Sequence, residues 1–99
     1  MAESKPHKDT SNRIAKKNNA DYNSKKGVDI VTNSRAIEVE TENTVKSGIK
    51  QLQGHKKPSY IAGTNQKAVD KALELTKGTT IGVMDKDGNI VKSSTRKKS

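Results

Sequence analysis

Three carboxylates, Asp29, Glu38 and Glu40, are the side chains of this chain best placed to do chemistry. They flank Asn33-Ser34, and the residues around them alternate, Val28 and Ile30 with Asp29 and Val31, then Ile37 and Val39 with Ala36, Glu38 and Glu40. A period of two is what a half-buried strand requires. Asn tolerates the positive φ of a tight turn and bonds its own backbone. With Asn33-Ser34 as the whole loop, Thr32 pairs with Arg35, Val31 with Ala36, Ile30 with Ile37, Asp29 with Glu38 and Val28 with Val39. Asp29 and Glu38 then face each other with Cβ atoms about 4.5 to 5.5 Å apart, and Glu40 points to the same side about 7 Å further along. Like charges opposed across a strand pair are destabilising. A fold that keeps them needs a neighbouring Lys or Arg, a shared proton, or a metal, of which Mg²⁺ suits oxygen ligands of this kind. The plainer alternative is a solvated sheet face on which Glu42 pairs with Lys25.

The two segments, Gly27-Val28-Asp29-Ile30-Val31 and Ala36-Ile37-Glu38-Val39-Glu40-Thr41, resemble the paired motif of the restriction-endonuclease-like superfamily. These are the PD-(D/E)XK nucleases, archaeal Holliday-junction resolvases among them. The resemblance covers residues 10–92 through the order of elements. It implies that Asp29 and Glu38 hold Mg²⁺ or Mn²⁺, and that a Lys two residues after the second acid positions the attacking water. Val28 stands where Pro is usual, and Glu40 stands where that Lys is expected. Glu40 is then a third ligand or a base acting through water. Lys46, in the first turn of the next helix, is expected to reach back and take over from the missing strand Lys. Gln51 resembles a Gln that some members carry on the equivalent helix.

The elements that must hold these groups read as a mixed sheet flanked by helices. Asp9, Thr10 or Ser11 caps a helix to Asn19 with Ile14 and Ala15 inward, and Asn43 caps a second from Thr44 to Gln53 with Val45, Ile49 and Leu52 on one stripe. Ser59–Gly63 reads as a strand. A third helix starts at Thr64 or Asn65, turns Val69, Ala72 and Leu73 inward, and ends with Lys77-Gly78. Thr79–Asp85 and Asn89–Ser93 are strands joined by a two-residue turn at Asp87-Gly88. The order αββαβαββ defines an α/β class, one small domain over residues 9–93 with a restriction-endonuclease-like core and mobile basic tails at 1–8 and 94–99. The strands on either side of the second helix are expected to be parallel and central. His7 falls in the first tail and is expected to be inert; His55 reads as a surface residue and Tyr60 as core or strand edge.

Composition narrows the partners. Hydrophobic residues make up 28% of 99, with no Phe, Trp or Cys, so the core is thin and has neither a disulfide nor a thiolate zinc site to reinforce it. A bound metal or a homodimer could supply what the core lacks. Twenty basic residues against eleven acidic ones give +9, yet residues 28–45 carry one base and four acids. An acidic island in a basic chain suggests a polyanion partner, nucleic acid and DNA before RNA, drawn by counterion release. Lys25, Lys26, Lys56 and Lys57, with Arg96-Lys97-Lys98, are the expected phosphate contacts. No stretch is apolar enough for a signal or a membrane span, which points to the cytoplasm. Three functions fit: a DNA-binding nuclease with weak Mg²⁺-dependent phosphodiesterase activity on duplex or branched DNA, a non-catalytic nucleic-acid binder on the same fold, and an accessory protein-interaction domain.

Overall fold

The computed structural model describes residues 5–18 and 29–95. Lys25, Lys26 and the 96–98 basic cluster lie outside the described residues. Within them the elements run α1 (Lys5–Lys17), β1 (Ile30–Val31), β2 (Ala36–Glu40), α2 (Val45–Leu52), β3 (Ser59–Gly63), α3 (Gln66–Leu75), β4 (Gly82–Met84) and β5 (Ile90–Lys92). This is the element order the sequence predicts.

The five strands form one sheet in sequential order, β2, β3 and β4 parallel in the centre and β1 and β5 antiparallel at the edges. Two successive crossovers of the same hand, through α2 and then α3, leave both helices on one face. The other face is left to α1. Alternation along the strands therefore feeds two cores. Ala36, Ile61 and Val83 meet Val45 and Leu52 of α2 and Val69 and Ala72 of α3. Ile30, Ile37, Val39, Tyr60, Ala62 and Met84 meet Ile14 and Ala15 of α1. Glu38 and Glu40 share the parity of Ala36, which turns them toward the α2 side.

Several boundaries differ from expectation. α1 begins at Lys5, four residues before Asp9, because Pro6 is tolerated in a first helical turn whose amides need no internal acceptor. The expected tail over residues 1–8 is thus partly helix. Thr44, not Asn43, is the N-cap of α2, and its hydroxyl accepts from the Thr41 amide at 2.9 Å. The Asn65 side chain caps α3 as expected, accepting from Ala68 N at 2.9 Å. The cation at the far end of α3 is not Lys77 but Lys92, whose ammonium donates to Thr76 O at 2.7 Å. The β4–β5 loop has three residues rather than two: Asp85 N bonds Asn89 O at 3.0 Å, and Gly88 takes the positive φ of 81° that closes it. α1 clamps this loop through Arg13, which donates to Lys86 O at 3.0 Å, and Lys17, which donates to Asn89 Oδ1 at 2.8 Å. No helix among the described residues is long and apolar enough to cross a membrane.

Candidate functional site

The β1–β2 register is the predicted one, with Ile30 opposite Ile37, Val31 opposite Ala36, and Thr32 N bonded to Arg35 O at 2.9 Å. One residue further out the ladder gives way to side chains. The Asp29 carboxylate folds across and Oδ2 accepts the Val39 amide at 2.8 Å, while the Asp29 amide donates to Glu38 Oε1 at 3.3 Å. Asp29 and Glu38 are therefore brought together as expected, by mutual capping instead of a further rung of sheet. This is why β1 is only two residues long.

Glu38 is 2% exposed and Glu40 8%, so neither lies on a solvated face. Glu38 Oε2 is buried without a hydrogen-bond partner. Burial, reinforced by the facing Asp29 carboxyl and the charge of Glu40, pushes the Glu38 carboxyl up to about 9. Burial also pushes Glu40 up, to about 7, against the opposing pull of the Thr44 hydroxyl and the His7 side chain. Among the described residues the cluster meets less positive charge than it carries negative. Such a cluster favours holding a proton over full ionisation.

Gly48 makes the room for Glu40. A Cβ built there would fall 2.6 Å from Glu40 Cγ and 2.8 Å from Cδ and Oε2, inside any real contact. A helical Gly→Ala ordinarily stabilises by about 1 kcal/mol. Gly48→Ala is expected instead to destabilise by about 1 to 3 kcal/mol, the usual cost of overpacking. Urea denaturation checks the sign, and a stabilised variant would mean that Glu40 is not seated against α2.

The remaining candidates divide. At about 100° per residue Gln51 lies about 60° around α2 from Gly48 and is exposed, with no contact to the acids among the described residues, whereas Lys46 lies about 160° away. Lys46 is exposed on the opposite flank, and the structure does not bring it to the acids. Lys56 is exposed; the Lys57 ammonium is half-buried and donates to Thr32 O at 2.8 Å, bracing the β1–β2 turn. Among the described residues the basic side chain that does reach the acids is His7, expected to be inert: its Nε2 lies 3.3 Å from Asp29 Oδ2. Spacing could have found it, since His7, Ser11, Ile14 and Asn18 fall at i, i+4, i+7 and i+11 of one helical stripe. Gly48 had a signal too, a glycine inside an apolar helical pattern, which calls for a packing reason. Among the described residues no three His, Asp or Glu side chains form a group that could hold a metal ion.

Fold and site define an α/β domain with a buried acidic cluster spanning the β1–β2 hairpin. Compared with family models, curated proteins and solved structures, the chain matches none.

Proposed function

We propose that this is a DNA-binding, nuclease-like domain of restriction-endonuclease-like type, in which Asp29 and Glu38 hold Mg²⁺ or Mn²⁺ against a phosphodiester. The observation that carries the reading is the buried, unpartnered Glu38 Oε2 facing Asp29 in an otherwise basic chain. The donor set fits such an ion, being hard oxygen in excess of its counter-charge. Mg²⁺ is ordinarily bound through one or two carboxylates with the remaining positions left to water and substrate phosphate, so a third protein ligand is not required. When bound, the ion would polarise a phosphoryl oxygen and favour attack by water.

The chain's own residues supply the rest. Asp29 and Glu38 would bind, the Val39 amide orients Asp29, and Glu40, on the same strand face two residues on, would be the group to take a proton from water beside them. Lys56 and the exposed α2 lysines 46 and 50 offer phosphate contacts along the backbone of a duplex or branched DNA.

A second reading, binding without catalysis, is favoured by one observation: the place of the motif Lys holds a carboxylate packed against Gly48, with Lys46 turned away. Both readings require DNA affinity dominated by phosphates. Fluorescence titration with duplex and branched oligonucleotides is expected to show binding that varies little with sequence and weakens steeply with salt, log K falling about 0.9 per phosphate neutralised per decade of salt. Absence of binding at low salt removes both readings.

A further inference from the structure

We infer that His7 is a positioning residue of the acidic site, seating the Asp29 carboxylate from outside through helix α1. The inference rests on Asp29 being a cation ligand. Asp29 lies beyond the last rung of a two-residue strand, so the sheet does not fix its side chain. Among the described residues two contacts do so, and both fall on one oxygen: Oδ2 accepts the Val39 amide at 2.8 Å and lies 3.3 Å from His7 Nε2. Holding Oδ2 from two sides leaves the other oxygen as the one that can turn to a cation shared with Glu38.

The helix that delivers His7 is anchored elsewhere. Ile14 and Ala15 are buried in the core, the Ser11 hydroxyl donates to His7 O at 2.7 Å within the helix, and Arg13 and Lys17 grip the β4–β5 loop. His7 and Asp29 are mostly buried, their side chains 17% and 14% exposed. A contact presented by a fixed helix and shielded from water is of the kind that orients a ligating carboxylate, and losing such an outer partner costs about 10- to 100-fold in metal affinity.

The test is Mn²⁺ binding to the full chain, followed by calorimetry and by paramagnetic broadening of the Val39 and Glu38 amides. Asp29→Asn is expected to abolish it. His7→Ala is expected to weaken it about 10-fold or more, and His7→Gln, which keeps a neutral N–H donor, to stay within about threefold of the parent. A merely structural role would not be rescued by Gln. Should His7→Ala lose α1 helicity by circular dichroism, His7→Gln against His7→Leu carries the same comparison. Parent-like or tighter binding by His7→Ala, or a Gln variant no better than Ala, overturns the inference alone. A parent chain that binds no Mn²⁺ overturns it together with the metal reading.

Discussion

Stability is expected to fall as pH rises from about 4.5 to about 9, and Glu38→Gln to remove most of that fall. Glu38 has a folded-state pKa raised above its unfolded value of 4.5, so the folded form binds the extra proton. Stability from such a group is fully present below the unfolded pKa and lost as pH climbs through the folded one. Glu40 acts in the same direction over the lower part of the window, from 4.5 to about 7. At about 1.4 kcal/mol per unit of pKa difference, and with the two acids interacting, the combined loss is on the order of a few kcal/mol, a large share of what a domain this small possesses. Urea denaturation across the window measures it. Glu38→Gln keeps the shape of the neutral acid, so its stability should be flatter and should exceed the parent's at the alkaline end. Millimolar Mg²⁺ should restore the alkaline stability of the parent and not that of the variant, because an ion that binds only the folded state stabilises it by mass action. A parent whose stability is constant or rises through the window would mean that basic partners hold both carboxylates ionised.

The hairpin register was legible because it depended on two local rules, alternation and turn chemistry, which agree at every residue from Ile30 to Val39. The parallel centre followed from the length of the α2 connection, too long for a hairpin. What the sequence hid was the face. Alternation says that Glu38 and Glu40 lie together, but a charged residue is by default assigned to solvent. Only the placement of α2, with Gly48 opposite Glu40, reveals that these acids are inside. His7 was missed for the opposite reason: residues 1–8 offer no apolar pattern, and its neighbours on the buried stripe, Ser11 and Thr10, are small polar groups that read as surface. Nearness in sequence suggests Lys46, but helical rotation carries its exposed side chain to the other flank of α2.

That rotation decides the last expected result, which concerns cleavage. With Mn²⁺ and a branched or duplex DNA substrate, Asp29→Asn is expected to reduce cleavage by about 100-fold or more, the scale seen when one preorganised electrostatic contact to a transition state is lost. Lys46→Ala should change it by less than about threefold, because an exposed cation on the far flank of α2 contributes only through weak, screened attraction. Glu40→Lys is the informative gain. Glu40 sits beside two further carboxylates in a site short of positive charge, with its own carboxyl pushed up to about 7. An ammonium there would change the local charge by up to two units toward what a developing phosphorane needs, and it would relieve the repulsion borne by Glu38. The Lys stem must still pass Gly48, where Glu40 already fills the space a Cβ would need, so some loss of stability should accompany the gain in rate. Rates should be compared at equal folded fraction, checked by circular dichroism. If a folded Glu40→Lys chain binds DNA yet cleaves none of these substrates with Mn²⁺ present, the carboxylates are not a catalytic centre, and the domain is a binder that keeps its acids for the fold. A marked loss on Lys46→Ala would instead mean that α2 turns toward the acids when DNA is bound.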